Sequence, residues 1–422
     1  MTTATQSPVR DVEAMELDSF DLTDPRTYQE TDIHAMWRRF RAERPVHRHP
    51  ETEAGPAFWV LSRYADVMAV YKDDDRFHSE RGNVLATLLY GSDSAAGKML
   101  AVTDGPRHAA IRKLMLKSFS PRALSHISEQ VVQRTRRLLA EAVERGEADF
   151  AKDVAEHIPI STICDLLGVP EADRTFLLGL NKQALSSDSA DQSAQDAWLA
   201  RNEILMYFSE LAEARRADPV DDVISVLATG EVDGKPLSED EIVLNCYSLI
   251  LGGDETSRLS MIGSLVALME HPEQWRRLRE REVTVESAVE EVLRWTSPAM
   301  HFGRRALTDV EIGGETIAEG DIVTLWNTSA NRDELVFDRP EVFDLGRTPN
   351  KHVSFGYGPH FCLGAYLGRV EINAMLDALR TAVVHVERTS APVQPVFSNF
   401  LNGLGSLPVR FQPDRQGLGQ WR

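Results

Sequence analysis

The chain has 422 residues, of which 42% are hydrophobic and 26% charged, a composition typical of a globular protein that can bury a sizeable core. Its formal net charge of -19 at pH 7 argues against a nucleic-acid-binding protein, because contacts from Lys and Arg to phosphates supply that affinity. The three cysteines, Cys164, Cys246 and Cys362, are far apart, which argues against a disulfide framework and a zinc site with paired cysteines.

The N-terminal residues predict a tail outside the fold. Residues 1–18 are polar and carry no hydrophobic period, so we expect them to be disordered. No apolar segment follows a basic start, and no stretch reaches membrane-spanning length without charges. We therefore expect a soluble cytoplasmic protein in which residues 19–422 form one domain.

Hydrophobic periodicity after the tail predicts helices with a little sheet. The predicted elements are a helix at 33–43, a strand at 57–61, a helix at 64–71, a long irregular loop at 79–103, and helices at 107–119, 124–145, 155–167, 193–216 and 240–270. Residues 309–325 alternate like a small sheet, and Asn402-Gly403 between two apolar segments indicates a two-residue hairpin turn. The expected fold class is mainly α with small β-sheets (α+β).

The segment FGYGPHFCLG, residues 355–364, places two glycines before Cys362 and one after it, directly ahead of an apolar helical pattern. Glycines permit left-handed backbone close to a bulky partner, and a helix N-terminus stabilises a thiolate. Taken alone, a buried structural cysteine explains the segment about as well as a thiolate ligand to iron. A dinucleotide-binding loop fits less well, because the third glycine is missing.

This segment resembles the heme-binding signature of the cytochromes P-450. The signature positions are filled by Phe355, Gly356, Gly358, His360, Cys362 and Gly364. The resemblance extends through most of the chain and implies the cytochrome P450 fold, a helix-rich domain that holds heme b between a distal helix and the helix after the cysteine loop. It implies that Cys362 is the axial thiolate ligand and that Phe355, Gly356, His360 and Gly364 contact the heme.

The segment at 242–253 is apolar on nearly all sides and predicts a buried helix. GGDETS, residues 252–257, resembles the distal-helix motif of the same family. The resemblance implies that Gly252 makes room for oxygen, that Thr256 hydrogen-bonds the dioxygen, and that Glu255 connects the site to solvent and helps to deliver protons. Alanine is common in the family at the position of Gly252, so we expect a slightly looser oxygen groove. Without the cysteine loop, a kinked core helix with a solvated acid would be preferred.

His108 and Arg112 are four residues apart, so one helix face can carry both. Surface charge is the simplest explanation of such a pair. The family resemblance instead assigns both residues to the heme propionates, together with Arg304 and His352. Arginine suits this role because its forked donors match carboxylates.

Glu291 and Arg294 are three residues apart in a helical segment, a spacing usually seen in surface pairs of small energetic value. In the family the same spacing belongs to a buried structural triad. The resemblance implies that Arg347, which ends the motif FDxxR, is the third member. We expect this triad to serve folding and heme retention.

Four basic residues form a local positive group on a strongly acidic chain: Lys113, Lys117, Arg122 and Lys351. A solvated helix face and a docking site for an acidic ferredoxin explain them about equally well, because electrostatic steering raises encounter rates. We recognise no flavin or iron–sulfur domain in the sequence, so electrons from NAD(P)H are expected to arrive through a separate ferredoxin reductase and ferredoxin. A monomer is expected.

The expected substrate pocket follows from the family's substrate-recognition regions. It comprises Asn83, Leu85, Leu88, Ser248, Leu251, Ala299, Met300, Phe302, Phe400 and Leu401, most of them apolar as in ligand pockets generally. Each of these residues could equally belong to the core.

The resemblance implies a monooxygenase that hydroxylates a small organic substrate, most similar to bacterial members that act on sterol-like or biosynthetic intermediates, including carrier-bound amino acids. Thiolate ligation favours oxygen–oxygen bond cleavage. Three alternatives remain open: an oxidative cyclase that forms a carbon–carbon or carbon–nitrogen bond, a peroxide-driven variant, and a non-catalytic heme-binding protein. Sequence does not separate hydroxylation from cyclisation.

Overall fold

The computed structural model describes residues 10–185 and 194–421. Its helices are α1 (Pro25–Glu30), α2 (Ile33–Glu43), α3 (Tyr64–Tyr71), α4 (Leu85–Leu89), α5 (Gly105–Met115), α6 (Ser125–Arg145), α7 (His157–Leu167), α8 (Arg174–Leu185), α9 (Ala194–Ala217), α10 (Val223–Thr229), α11 (Glu239–Glu270), α12 (Pro272–Arg279), α13 (Val285–Thr296), α14 (Asn327–Ala330), α15 (Ala365–Ala382) and α16 (Arg415–Gly419). No helix in this part of the chain combines the length and apolar character needed to cross a membrane.

The strands form small sheets at the edges of the helical body. They are β1 (Val46–His49), β2 (Phe58–Leu61), β3 (Phe77–His78), β4 (Glu147–Asp149), β5 (Glu231–Val232), β6 (Lys235–Pro236), β7 (Phe302–Ala306), β8 (Val310–Ile312), β9 (Glu315–Ile317), β10 (Ile322–Leu325), β11 (Val383–Arg388), β12 (Gln394–Pro395), β13 (Leu404–Ser406) and β14 (Pro408–Pro413). A five-stranded sheet has the order β1-β2-β10-β7-β3, in which β10 pairs parallel to β2 with Val323 opposite Trp59. The predicted class, mainly α with small sheets, is confirmed.

The central element is α11, which is buried along most of its length and packs against α7, α9, α13 and α15. It begins with a capping box, in which Ser238 Oγ accepts from Glu241 N–H and the Glu241 carboxylate accepts from Ser238 N–H. One core cluster joins this helix to α6, α13 and α15. Burial of a leucine such as Leu265 contributes about 1.5–3 kcal/mol, so this packing fixes where α11 and α15 lie.

The N-terminal expectation is wrong for the part of the tail that the structure describes. Residues 10–18 include two 3-10 turns, Val12–Ala14 and Leu17–Ser19, and the side chains of Val12 and Leu17 are buried in a cluster with Trp37 and Phe40. The few apolar residues of this segment are enough to hold it against α2. Residues 1–9 lie outside the described part of the chain, as does residue 193 of the predicted helix 193–216.

Other elements also differ from the sequence expectation, and helix α8 and the predicted hairpin are two examples. Helix α8 was not predicted, although Leu177, Leu180 and Ala184 follow helical spacing and are all buried. The Asn402-Gly403 hairpin is also wrong: β12 and β13 are joined by a longer loop, and Asn402 N donates to Pro298 O at 2.9 Å. The loop packs against residues 298–300, and this burial outweighs the local turn preference.

Candidate active site

The cysteine loop folds back on itself directly before α15. Cys362 N donates to Phe355 O at 2.9 Å. Gly356 and Gly358 have φ values of 66° and 72°, in the left-handed region that favours glycine. A Cβ atom at Gly358 would lie 2.2 Å from Tyr71 O, so a larger residue does not fit there. The glycine spacing therefore presents Cys362 just ahead of the helix.

The thiol of Cys362 is both enclosed and accessible. Burial raises its pKa, while the N–H of Gly364 and the charges of Arg112 and Arg369 act in the opposite direction. The residue nevertheless keeps accessible surface, so another group can reach it. In the protein alone, burial thus outweighs the stabilisation of the thiolate that was expected from the helix N-terminus. Coordination to a metal ion, in contrast, removes the proton of a thiol outright.

One face of α11 is open in the middle of the helix. Ser248, Gly252 and Thr256, spaced four residues apart, keep accessible surface on this mostly buried helix, and Thr256 Oγ1 donates to Gly252 O at 3.1 Å. A Cβ atom at Gly252 would meet no atom within 4 Å, whereas one at Gly253 would lie 2.4 Å from Ile163 Cδ1. Gly253 therefore allows α7 to approach, and Gly252 leaves open space beside Thr256.

The open face of α11 and the cysteine loop border the same region. A Cβ atom at Gly368 of α15 would lie 3.6 Å from the Phe355 ring and 3.7 Å from Ser257 Oγ. Ser257 is the neighbour of Thr256, and Phe355 accepts the hydrogen bond of Cys362 N. The two predicted motifs, about one hundred residues apart in sequence, are thus brought together by the packing of α15 on α11.

Glu255 lies on a different face of α11 from Thr256. It is buried and accepts a hydrogen bond from Arg258 Nη2 at 2.6 Å, in an ion pair in which both side chains are at most 5% exposed. The expected connection of Glu255 to solvent is therefore not a direct one. Sequence reasoning missed a second buried carboxyl: Glu371 of α15 is hydrogen-bonded by Ser257 and Thr162, and burial raises its pKa to about 7.

A histidine cluster lies beside the cysteine loop. The rings of His108 and His360 are 4.3 Å apart between centroids, and His360 Nε2 contacts Asp104 Oδ1 at 2.9 Å. Burial and the neighbouring His360 lower the pKa of His108 to about 4, and its Nε2 is buried without a hydrogen-bond partner among the described residues. The other oxygen of Asp104 accepts from the backbone N–H groups of Ser79 and Glu80. Sequence reasoning missed Asp104, because its partner His360 lies 256 residues away in the chain.

Two arginines complete this cluster. Arg112 Nη2 donates to Phe361 O at 2.6 Å, and the buried Arg304 guanidinium lies 5.8 Å from the centre of the Tyr71 ring. Burial lowers the pKa of both arginines because it outweighs the nearby negative charge. The cluster therefore holds two guanidiniums besides the Asp104 carboxylate, and it suits carboxylates such as those of heme propionates.

His352 lies apart from this cluster, and its predicted heme contact stays a prediction. Its Nε2 contacts Glu290 Oε2 at 3.0 Å, and its Nδ1 accepts from Ser354 N–H at 3.3 Å. Glu290 also accepts from Arg369. Both ring nitrogens of His352 thus have protein partners, and the ring serves to hold the loop to α13 and α15.

The structure brings the three predicted triad residues together. Arg294 Nε and Nη2 both donate to the Glu291 carboxylate at 2.8 Å, and Arg347 Nε donates to it at 3.1 Å. The same carboxylate accepts from Asp344 N–H and Asn350 Nδ2. Glu291 and Arg294 are fully buried. This network ties α13 to the loop that leads into the cysteine segment.

The predicted pocket residues divide into two groups. Half keep accessible surface: Asn83, Ser248, Leu251, Phe302 and Phe400. The other half are buried: Leu85, Leu88, Ala299, Met300 and Leu401. Leu85, Leu88 and Met300 belong to the core cluster of α2, and the β-bridge between Ala299 and Leu401 places Phe400 beside Phe302. In this conformation the first group is accessible, whereas the second belongs to the buried core, and the assignment of the first group to a substrate pocket stays a prediction.

The surface outside the cysteine loop is basic and partly apolar. The four predicted residues Lys113, Lys117, Arg122 and Lys351 are all exposed. Tyr357 of the loop and Tyr366 of α15 are 46% and 37% exposed, and Lys72 Nζ lies 5.6 Å from the centre of the Tyr357 ring. A protein partner could contact this surface without disturbing the core.

Comparisons with known proteins agree with this geometry. The sequence profile of the family described as Cytochrome P450 matches residues 188–392. Cytochrome P450 NovI of Streptomyces niveus is 47% identical over 399 residues, which cover 94% of this chain and 98% of NovI. Steroid C26-monooxygenase of Rhodococcus jostii is 32% identical over 405 residues, which cover 94% and 85%. The crystal structure of P450 OxyD, involved in the biosynthesis of vancomycin-type antibiotics, matches with a TM-score of 0.86 at 34% identity and covers 94% and 100%.

Proposed function

This chain belongs to the cytochrome P450 family of heme-thiolate monooxygenases, and we propose that it hydroxylates a small organic intermediate of natural-product biosynthesis with electrons from a separate ferredoxin. The observation that carries this proposal is that α15 places Gly368 next to both the Phe355 ring of the cysteine loop and Ser257, the neighbour of Thr256 on α11, while Cys362 keeps accessible surface. The similarity to OxyD, which is involved in the biosynthesis of vancomycin-type antibiotics, supports the substrate class.

The residues at the site fit heme. Cys362 supplies the thiolate, and the enclosed position of its sulfur favours a ligand bond over a free anion. His108 Nε2 offers a buried polar atom in need of a partner, and Arg112 and Arg304 offer the positive charge that propionates require. Bound heme supplies the activation of molecular oxygen.

The distal residues hold and position protons. Thr256 presents its hydroxyl to the open side of α11, where Gly252 leaves room for a small molecule. Glu255, paired with Arg258, is the acid nearest to Thr256 in the sequence. We assign Thr256 to hydrogen bonding at the oxygen site and Glu255 to proton supply through movements of its side chain away from Arg258.

The exposed basic group around the cysteine loop is proposed as the ferredoxin docking surface. Lys113 follows Arg112 on α5, Lys117 lies two residues after the end of that helix, and Arg112 contacts the loop through Phe361. A positive surface on a chain of net charge -19 directs an acidic partner to this face. Such steering depends on salt, because screening shortens its range.

The first experiment is an absorbance titration of the purified protein. The resting protein should show a low-spin heme-thiolate band, and a substrate that displaces distal water should shift it to high spin. The panel contains sterols, polyketide lactones, small indole peptides, and aromatic amino acids in free and carrier-bound form. Absence of any thiolate heme after reconstitution would overturn the proposal.

Product mass decides the type of oxidation. Hydroxylation adds one oxygen atom to the substrate that gave the spin shift, whereas oxidative cyclisation removes two hydrogens. The proposal expects the first result. A product that lacks two hydrogens and carries no added oxygen would replace hydroxylation by ring closure.

The docking surface is tested by charge reversal. Lys113→Glu with Lys117→Glu should slow the ferredoxin-dependent reduction of heme at low salt, with a smaller difference at high salt. Lys152→Glu is the matched control, since Lys152 is exposed and follows β4 elsewhere in the fold. Equal reduction rates in all three proteins would remove the surface from its role.

A further inference from the structure

Asp254 is a buried carboxyl that the proposed mechanism does not use. It lies on α11 one residue before Glu255 and is 1% exposed. Its Oδ2 accepts a hydrogen bond of 2.6 Å from Nδ2 of Asn181, a fully buried residue of α8. The contact joins two helices that are 73 residues apart in the chain.

Two oxygens of this pair lack partners among the described residues. Asp254 Oδ1 and Asn181 Oδ1 are both buried without a hydrogen bond. An ionised carboxylate and an amide carbonyl are both acceptors, so neither can satisfy the other. One proton on Asp254 Oδ1 changes this, because a neutral acid donates to the amide oxygen while it accepts from the amide N–H. A buried oxygen without a hydrogen bond destabilises the folded state. Protonation of Asp254 gives both oxygens a partner and so removes both penalties.

The charges around Asp254 agree with a neutral acid. Burial and the like charge of Glu255 raise its pKa, and Glu156, at the start of α7, adds to that effect. Asn181 and Arg258 act in the opposite direction. The Arg258 guanidinium is already bonded to Glu255.

Other charged groups near this site are engaged elsewhere. On α8, Lys182 pairs with Glu156 at 2.6 Å. On α7, burial raises the pKa of the Cys164 thiol to about 12, so this thiol is uncharged. Asp165, next to Cys164, is ion-paired with Arg134 and Arg174.

We propose that Asp254 is a neutral acid that pairs with Asn181 and acts as a positioning residue for Glu255. A neutral Asp254 adds no negative charge next to Glu255 and leaves the Arg258 guanidinium to Glu255. An ionised Asp254 would repel Glu255 and break the donation to Asn181 that holds α8 against α11. The role toward Glu255 rests on the proposed function, whereas the protonation state of Asp254 does not.

The sign of the pH effect follows from linkage. The folded state holds the Asp254 proton more tightly than the unfolded chain, so the stabilisation it provides is lost as pH rises from the ordinary Asp range toward the raised pKa. Asp254→Asn reproduces the neutral pair, since its amide both donates to and accepts from Asn181. The thermal midpoint of wild type should therefore fall relative to that of Asp254→Asn as pH rises.

Infrared spectroscopy of the heme-loaded protein tests the protonation state directly. At neutral pH, wild type should show a neutral carboxyl band that Asp254→Asn lacks, and Asn181→Leu should shift this band by removing its partners. Glu371→Gln identifies the separate band of the other buried acid. The matched control is Asp165→Asn, which removes an ion-paired carboxylate and should leave the neutral carboxyl region unchanged.

Two results would overturn the inference. Identical neutral carboxyl bands in wild type and Asp254→Asn mean that Asp254 is ionised. A thermal midpoint of wild type that rises relative to that of Asp254→Asn as pH increases also means that Asp254 is ionised. Neither readout involves turnover, so a failure of the proposed monooxygenase reaction would leave both informative.

The positioning role has its own readout. In wild type, the amount of product formed per NAD(P)H consumed should fall at alkaline pH, because Asp254 ionises there. Asp254→Asn should not show this alkaline decrease. The same alkaline decrease in both proteins would overturn the positioning role.

Discussion

The cysteine side and the distal side of the site hold their buried carboxyls differently. On the cysteine side, Glu291 accepts from the guanidiniums of Arg294 and Arg347. On the distal side, Glu255 is likewise paired with Arg258. Asp254 of the same helix, however, is hydrogen-bonded by an amide, and Glu371 of α15 is hydrogen-bonded by hydroxyls of α11 and α7. Full ion pairs fix a carboxylate in its charged form, whereas neutral donors leave its proton affinity high. The difference teaches that ion-paired carboxyls fix geometry, whereas Asp254 and Glu371 can hold protons.

The largest expected effect breaks the cysteine side. Cys362→Ser should lose the thiolate heme spectrum and oxygenation together, because a serine hydroxyl is a poor substitute for a thiolate ligand. Absorbance of the reduced protein with carbon monoxide checks this. Cys164→Ala is the control, since Cys164 lies in the core away from the loop; normal turnover by Cys362→Ser would exclude Cys362 as the ligand.

Glu291→Gln tests whether the cysteine side is held by charge. The change leaves two buried guanidiniums without their shared carboxylate, and removal of one partner of a buried pair costs about 3–5 kcal/mol. We expect that loss in the free energy of unfolding, with faster heme release. Glu273→Gln, in an exposed pair with Arg276, should change neither quantity; equal stability of the two variants would contradict the assignment.

Thr256→Ala should act on the distal side without disturbing the cysteine side. Heme and substrate binding should persist, while reducing equivalents are diverted to form peroxide. Product formation should fall by up to about 100-fold, which is the lower end of what a positioned proton-transfer group contributes. Peroxide and product are measured per NAD(P)H consumed. Ser260→Ala is the control, because the Ser260 hydroxyl also donates to a carbonyl four residues earlier but is buried. Unchanged coupling of NAD(P)H consumption to product formation in Thr256→Ala would exclude the proposed role of Thr256.

The smallest expected effect concerns Glu371. Its pKa is raised from 4.5 to about 7 by burial, so the folded state loses stability as pH rises between these values, by on the order of 3 kcal/mol. Glu371→Gln should lack this loss, and unfolding in denaturant at a series of pH values measures it. A parallel pH dependence in wild type and variant would show that Glu371 is ionised throughout.

Much of the site follows from short patterns in the sequence. The glycine spacing around Cys362 predicts the loop because left-handed positions and a close backbone contact require glycine there. The apolar segment at 242–253 predicts the buried α11, and the triad spacing predicts the contact of Glu291 with Arg294. These are local properties, in which residue type and spacing decide the structure.

The remaining features depend on contacts between distant segments. Sequence favoured both His352 and His360 as heme contacts, and the structure separates them because Glu290 of α13 binds His352 while Asp104 binds His360. Periodicity likewise does not distinguish a pocket leucine from a core leucine, as Leu85 and Leu88 show.

By itself the sequence determined the family, the ligand cysteine expected from it and the buried distal helix, because these are set by residues within about ten positions of one another. Tertiary structure decided which polar groups share the site. The Asp254–Asn181 and Asp104–His360 contacts arise because the packing of helices brings together side chains 73 and 256 residues apart. Burial then decides their charge, since a carboxyl removed from water keeps its proton unless a cation lies beside it.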